Sequence, residues 1–504
     1  MVAFDYAFLA FYFLVLVSLG FYGSHRYVMS YLYRRHRKDV PTAKGEFAEL
    51  PKVTIQLPIY NELYVVERLV EAVCKIRYPK DKLQIQVLDD STDETVEIAR
   101  NAVAEMRATG IDISYVHRTN REGFKAGALE AGLATAHGDF IAVFDADFVP
   151  KPDFLERTVQ FFTDDKVGMV QVRWEHLNRD FSLLTQAQAI LLDGHFVIEH
   201  TARNRSGRFF NFNGTAGIWR RSTIADAGGW QHDTLTEDLD LSYRAQCAGW
   251  QFVYVNDAVA PAEVPVEMAA FKSQQHRWAK GSIQVARKLL PTLLRSKLPL
   301  KVKFEAIMHL TNNIAYVLMV VLSLLMPIAA VLRIERGWYE SLWIDLPMFL
   351  AATFSVASFY MLAQKEARPT TLLQRSIYLP MVMSLGIGLC VNNARAVVEA
   401  LIGYQTGFKR TPKYGVTGVG QSWKHVKYRF KIQWQPFIET AIGVYFTWGV
   451  ITAMIAGSWI AVPFLILFGS GFLYVGLASL LQRNRYLGWI FEGRIAFAKK
   501  AVKV

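Results

Sequence analysis

Long apolar segments crowd the C-terminal part of this chain and are missing from its middle, and that division limits the fold more than any other feature. Almost wholly apolar stretches lie near Ile307–Leu332, Leu342–Ala363, Ile377–Ile402, Ala441–Ser458 and Trp459–Leu481, with a further one from about Tyr6 to Tyr22. A bilayer span needs about 20 such residues. From about Pro51 to Ala260 no long apolar run occurs. A water-facing unit set into a bundle of membrane helices satisfies both facts. A hydrophobic content of 52% with a net charge of +12 fits a membrane protein with a basic cytoplasmic side. Cys74, Cys247 and Cys390 are far apart, without metal-ligand spacing, and read as small core residues.

Charge sets the topology. Arg26, Arg34, Arg35, Arg37 and Lys38 follow the first apolar run instead of preceding it, which favours a span over a signal peptide and places the N-terminus outside. Between Gln405 and Phe437 stand Lys409, Arg410, Lys413, Lys424, Lys427, Arg429 and Lys431 with no acidic residue. The tail carries Arg483, Arg485, Arg494, Lys499, Lys500 and Lys503 against Glu492. Both should be cytoplasmic, which six crossings would forbid. The unbroken apolar part of Ile377–Ile402 ends near Val391 and is followed by Asn392, Asn393, Arg395 and Glu399. It is therefore expected to be re-entrant or interfacial, leaving five spans. Met268 to Leu298 mixes apolar residues with Lys272, Arg277, Lys280, Arg287, Lys288, Arg295 and Lys297, the pattern of amphipathic helices at the membrane surface.

In the middle unit, short apolar strands alternate with helical patterns: Val53–Leu57, Leu83–Leu88, Ile113–Val116 and Phe140–Phe144. That alternation predicts a parallel α/β sheet, and no G-x-G-x-x-G follows the first strand to make it a dinucleotide site. The fourth strand ends in Asp145-Ala-Asp147. Ligands of such sheets bind beyond the carboxyl ends of the strands. Two aspartates there can hold a hard divalent cation that shares its oxygens with a diphosphate, or form a solvated turn. Leu88-Asp-Asp-Ser-Thr-Asp93 closes the second strand, Thr236-Glu-Asp-Leu-Asp240 precedes a helix, and Gln274-Gln-His-Arg-Trp278 opens the basic helices. Taken singly, acidic residues at a helix start can be caps.

Together these four clusters match the D, D-x-D, T-E-D and Q-x-x-R-W set, and the chain resembles the membrane-integrated glycosyltransferases of family 2, the cellulose synthase-like proteins. Gln86–Asp93, Phe124-Lys-Ala-Gly-Ala-Leu129, Phe212-Asn-Gly-Thr-Ala-Gly-Ile-Trp219 and Gln275–Trp278 narrow the likeness to the cellulose synthase-like A and C groups, makers of β-linked mannan, glucomannan or glucan. The likeness is close over roughly Lys52–Leu290 and looser in the membrane part. It implies a GT-A-type catalytic domain in a helical transmembrane bundle, a nucleotide-sugar donor (UDP-Glc, GDP-Man or GDP-Glc) and an inverting transfer. Such a transfer needs a base for the acceptor proton and charge stabilisation on the departing diphosphate.

On that resemblance Asp238 is the expected base, with Glu237 its competitor and Asp240 a helix cap. Asp147, with Asp145, would hold Mg²⁺ or Mn²⁺. Asp89 and Asp90 would contact the nucleoside. Lys125 would reach a phosphate or stand as a solvated helix lysine, and Arg277 would neutralise the diphosphate. Gln274, Trp278 and the loop Phe212-Asn213-Gly214 would face the acceptor, whereas Trp219 is equally a core residue. His276 reads as a surface-helix histidine, not a metal ligand. Gly407–Tyr414 resembles the gating loop of cellulose synthases, which puts Thr411 and Lys413 near the nucleotide; the other reading is an ordinary basic segment.

The expected organisation is an N-terminal span with a basic linker (1–50), a cytoplasmic catalytic domain (51–264), interface helices (265–305), and membrane helices with the cytoplasmic loop 405–437 (306–504). The short tail leaves no cyclic-dinucleotide receptor domain to expect. The partners implied are a growing polysaccharide or glycolipid acceptor and membrane lipid. No nucleic acid is expected, and a homo-oligomer is left open. The membrane would be a bacterial inner or plasma membrane, or that of the Golgi. The functions implied are a polymerising β-hexosyltransferase that secretes its product through its own helices, a short-chain transferase acting on a lipid, or an inactive scaffold or transporter.

Overall fold

The computed structural model describes residues 2–338, 342–368, 371–408, 410–418, 421, 423, 427–428, 433–484 and 487–491. The tail from 492 onward and Arg485, together with Lys409, Lys424, Arg429 and Lys431 of the basic loop, lie outside the described residues. The middle unit is built on a seven-stranded sheet: β1 (Val53–Ile59), β2 (Leu83–Asp89), β3 (Ile113–His117), β4 (Phe140–Val143), β5 (Val167–His176), β6 (Gly217–Arg220) and β7 (Gln251–Ala262), in the order β3-β2-β1-β4-β6-β5-β7. The four strands expected from the sequence are present, and they pair in parallel through β1. β1, β2 and β4 are almost fully buried because helices pack on both faces, and the polar residues of β1 and β2 bond one another there, Thr54 to Gln84 at 2.8 Å and Gln56 to Gln86 at 3.1 Å.

The sheet as a whole is mixed, which corrects the expectation of a parallel one. β6 runs antiparallel to β4 and β5, and β7 returns parallel to β5. The four residues of β6 are too few to carry a periodic signal, and the helical excursion between β5 and β6 hides their pairing. The four-strand parallel half brings the ends of β1, β2 and β4 to one edge, where Asp89, Asp90 and Asp145 gather.

Five helices have the length and composition to cross a membrane: Phe4–His36, Ile314–Glu335, Ile344–Ala367, Gln435–Ile455 and Val462–Leu481. The expected Ile307–Leu332 segment is divided: its first turn belongs to helix Leu300–Thr311, which ends at Asn312-Asn313. Leu372–Gly388 and Cys390–Leu401 form a pair bent by 40°, at the stretch singled out as re-entrant.

Helix Met268–Arg295 departs from a simple surface helix. Lys272 donates to Glu439 at 2.7 Å and Lys280 to Glu399 at 3.0 Å, both lysines being buried. His276 is likewise not a surface residue; it lies between Asn392 O and Glu399 Oε2. One face of this helix is thus bonded to the last membrane helices and to the bent pair. Cys247 is exposed and is not the core residue expected; Cys390 is buried.

Candidate active site

Helix Glu237–Cys247 begins with three carboxylates in its first turn. Burial pushes the Asp238 carboxyl up to about 7; the neighbouring Glu237 charge adds to this and Lys125 opposes it. Glu237 is raised too, again chiefly by burial. The helix N-terminus opposes both shifts by favouring the ionised forms. Asp240 points away. It binds Arg244 at 2.8 Å and Lys288 at 2.9 Å, tying this helix to Met268–Arg295 instead of capping it. The two helices approach at Gly281, where a Cβ would lie 2.4 Å from Thr236.

Across the cleft, Lys125 is at the start of helix Phe124–Leu133 and is no solvated lysine. It donates to Asp145 and, at 2.8 Å, to the carbonyl of Gly214. Burial works against its charge, but Asp145, Glu237 and Asp238 outweigh that and hold the ammonium above its ordinary value. Gly214 has φ +79°, and a Cβ there would lie 3.0 Å from Asp238 Oδ2. Only glycine lets the loop pass so close to both groups.

Asp147 follows at the sheet edge, and Lys413 donates to its Oδ2 at 2.7 Å. Its Oδ1 is buried without a hydrogen-bond partner among the described residues. That orphaned oxygen, with Asp145 beside it, fits an oxygen-seeking Mg²⁺ or Mn²⁺. No cluster of three His, Cys, Asp or Glu side chains with metal-site geometry is present among the described residues, so a cation here would draw its remaining ligands from donor or solvent.

The loop carrying Lys413 is docked in the cleft. Arg277 Nη2 donates to Thr411 Oγ1 at 3.1 Å and its guanidinium lies 4.7 Å from the Phe408 ring centre. Arg410 pairs with Glu62 at 2.7 Å. These residues, with Tyr60, Asp90, Arg121 and Phe124, line a cavity of about 170 Å³. Arg121 stacks 3.4 Å from the Tyr60 ring centre. Arg121 and Phe124 both adopt left-handed backbone conformations, φ +44° and +51°, a strain that non-glycine residues carry mostly at functional sites. Sequence reasoning missed Glu62, Arg121 and Arg410; the Arg-Glu-Gly-Phe run before the expected helix was the available signal.

Beyond Asp238 a second cavity of about 330 Å³ opens toward the membrane helices. Gln274, Trp278, Asn213, Thr236 and Asp238 line both cavities, while Tyr22, Asn313, Tyr316 and Tyr360 line only the second. Two expected contacts fail. Asp89 is fully buried and does not line the cleft: its Oδ1 accepts from the Ser91 N–H and its Oδ2 from the Tyr115 hydroxyl. Phe212 is core, edge-on to Trp219, itself wholly buried. Asp90 does line the cleft, held by both arms of Arg118.

In overall fold the chain is similar to a mannosyltransferase, PcManGT from Pyrobaculum calidifontis, solved with GDP-Man and Mn²⁺. The TM-score is 0.50 at 21% identity, over 78% of this chain and 99% of that one. The architecture is GT-A-like. Residues 51–281 match the family described as glycosyltransferase like family 2, and this part of the chain is a domain of that family. Among curated relatives, glucomannan 4-beta-mannosyltransferase 1 of Oryza sativa subsp. japonica is 42% identical over 274 residues, 52% of this chain and 52% of its own. Glucomannan 4-beta-mannosyltransferase 2 of Arabidopsis thaliana is 43% identical over 262 residues, 51% of this chain and 48% of its own. The chain thus spans about half the length of the curated relatives it matches.

Proposed function

We propose that the protein is an inverting membrane glycosyltransferase that moves hexosyl units, mannosyl foremost, from a nucleotide sugar onto a β-linked glycan. The observation that carries this reading is the position of Asp238: a half-buried carboxylate pushed up to about 7, lining both cavities. A general base works best with its pKa near the working pH. The first cavity is the donor side. Lys125 and Arg277 would meet the diphosphate there, and Asp90 with Tyr60 and Arg121 would bound the nucleoside end. A divalent cation on Asp147, with Asp145, would offset the diphosphate charge. Thr411 and Lys413 would close over the donor, Lys413 exchanging Asp147 for a phosphate.

The second cavity is the acceptor side. Trp278 offers an aromatic face for a pyranose ring, with Gln274 and Asn213 as hydrogen-bonding groups. Its continuation past Asn313 and Tyr316 supports polymerisation with passage of the product through the membrane helices. The basic residues Arg34, Arg35, Arg37 and Lys38 at the inner end of the first span and Arg410 and Lys413 in the 405–437 loop support a topology with the N-terminus outside. A membrane-impermeant thiol reagent should spare Gly418→Cys in intact cells.

The decisive experiment incubates membranes with radiolabelled GDP-Man, UDP-Glc and GDP-Glc separately and digests the product with linkage-specific hydrolases. The similarity to named glucomannan 4-beta-mannosyltransferases leads us to expect a β-mannanase-sensitive polymer from GDP-Man. A short, lipid-extractable product would replace polymerisation with transfer to a glycolipid. Consumption of none of the three donors would overturn the reading in favour of an inactive scaffold.

A further inference from the structure

The wall of the acceptor-side cavity contains a hydrogen-bonded chain of titratable side chains that no motif announces. Helix Leu183–Asp193 passes through a π-turn, Gly194–His200, into Thr201–Arg205. Such turns recur at functional sites. From it, His195 Nδ1 meets Glu199 Oε2 at 3.1 Å, and Arg203 reaches the same oxygen at 3.2 Å. Arg203 Nε also donates to Glu305 at 2.8 Å, and Glu305 meets His25 of the first membrane helix at 3.0 Å. In the other direction, His195 Nε2 lies 3.0 Å from Asn213 Nδ2, and Asn213 Oδ1 meets His200 Nε2.

The network fixes its own hydrogens. Burial opposes the Glu199 charge, but Arg203 and the hydrogen bond from His195 outweigh it and hold the carboxyl well below its ordinary range. An ionised Glu199 can only accept, so His195 donates from Nδ1, and the Asn213 Nδ2 that faces its Nε2 at 3.0 Å calls for a lone pair there. That lone pair takes a hydrogen from Asn213 Nδ2. Asn213 Oδ1 is then left to accept from His200, which burial keeps neutral. The amide is held at both ends, and its backbone N–H is bonded to Gln171 at 3.1 Å. One Nδ2 hydrogen has no place in this chain, on a residue that lines the junction of both cavities beside Asp238.

We infer that His195, braced by Glu199, is a positioning residue that locks the Asn213 amide so that its remaining N–H recognises a hydroxyl of the acceptor sugar next to the one Asp238 deprotonates. The inference rests on the glycosyltransferase reading and adds to it the group that sets which acceptor ring is accepted. The chain through Arg203 and Glu305 to His25 ties that group to the first long apolar helix.

The test uses the full-length protein in nanodiscs, with whichever of the three donors wild type consumes, and with mannohexaose and cellohexaose as acceptors. His195→Ala should raise the acceptor KM about tenfold, the size of one lost hydrogen bond of about 1 kcal/mol or a little more, while the donor KM stays within about twofold. His195→Gln, whose side-chain oxygen can still accept from Asn213, should restore at least half of the loss. The Asn213→Ala, His195→Ala double variant should be no worse than Asn213→Ala alone, because contacting residues in one network are not additive. Multiplying effects, or a donor KM that rises as much as the acceptor KM, would overturn the inference. Where His195→Ala fails to fold, Glu199→Gln carries the same acceptor-against-donor comparison. Wild type that consumes no donor refutes the glycosyltransferase reading itself; wild type that transfers normally beside an unaltered His195→Ala refutes only this inference.

Discussion

The two sides of Asp238 are built on opposite electrostatic plans. On the donor side nearly every carboxylate is answered by a cation: Asp145 by Lys125, Asp147 by Lys413, Glu62 by Arg410, Asp90 by Arg118. On the acceptor side the groups at the cavity are mostly amides, aromatic rings and the histidines of the Asn213 chain, and the ion pairs of Arg203 with Glu199 and Glu305 serve to brace them. The contrast suits the ligands proposed. A nucleotide diphosphate is read by charge, and it can be admitted only by exchanging internal ion pairs for pairs with itself. A glycan is neutral; it is read by stacking and directional hydrogen bonds, each weak enough to be released when the chain advances.

The largest break in this comparison comes at its hinge. Asp238→Asn keeps the volume and removes the base, so turnover should fall by roughly 10²–10⁴-fold while donor binding, followed by titration calorimetry, stays close to wild type. Turnover near wild type would transfer the role to Glu237. Next in size, Asp147→Ala should weaken donor binding and rate together, on the order of 10²-fold, because the cation that links the carboxylate to the diphosphate loses its anchor. Excess chelator should do the same. Full activity in chelator would break the charge-based account of the donor side.

How far each side could be read from sequence follows from the same contrast. The donor-side carboxylates sit in short contiguous clusters at strand ends, so Asp90, Asp145, Asp147, Glu237 and Asp238 were legible, as were Lys125 and Lys413. Asp89 and Phe212 were misread because a motif fixes which residues lie together and not which way each side chain points; alternation along the extended backbone turns them into the core. The acceptor wall was almost illegible. His25 and Glu305 are 280 positions apart, and His195, Glu199 and Arg203 repeat at helical spacing within an ordinary-looking amphipathic stretch. Nothing in such a pattern marks a π-turn. The mixed sheet escaped for a related reason: β6 is short and is separated from β5 by helices, so no hairpin signal joins them. The five long apolar helices and the bent pair at 372–401 were legible as apolar segments because length and hydropathy act locally.

A smaller effect sharpens the donor side. Lys413 donates to Asp147; burial works against its charge, but Asp147 and Glu62 outweigh that and keep the ammonium above its ordinary value. Thr411→Ala with Lys413→Ala should raise the donor KM roughly tenfold, the scale of one or two lost hydrogen bonds to a charged group, without shifting the melting temperature by more than a few degrees. Unchanged kinetics would reduce the 407–414 segment to an ordinary basic loop and leave the donor side without its cover.

The smallest effect separates the two sides by pH. Asp238 must be ionised to take a proton, and its pKa near 7 means that kcat/KM should fall about fourfold between pH 8 and pH 6.5, the loss of ionised fraction expected for a single group of that pKa. The stability term has the opposite sense. A carboxyl raised from its unfolded value of 3.8 to about 7 contributes stability fully below the unfolded value, and that contribution is lost as pH rises through about 7. The protein should therefore melt at a slightly higher temperature at pH 6 than at pH 8, so far as this group decides it, while working more slowly. Glu62 is also pushed up to about 7 by burial, against Arg410 and Lys413, and would give a similar limb if it controlled the rate. Residual turnover of Asp238→Asn tells them apart: the acid limb should vanish if Asp238 is the base and persist if Glu62 is the source. On the acceptor side Glu199 is held well below its ordinary range, so it stays ionised across this window and contributes no limb. An acid limb that survived Asp238→Asn and disappeared in Glu199→Gln would erase the division between a charged donor side and a braced, neutral acceptor side.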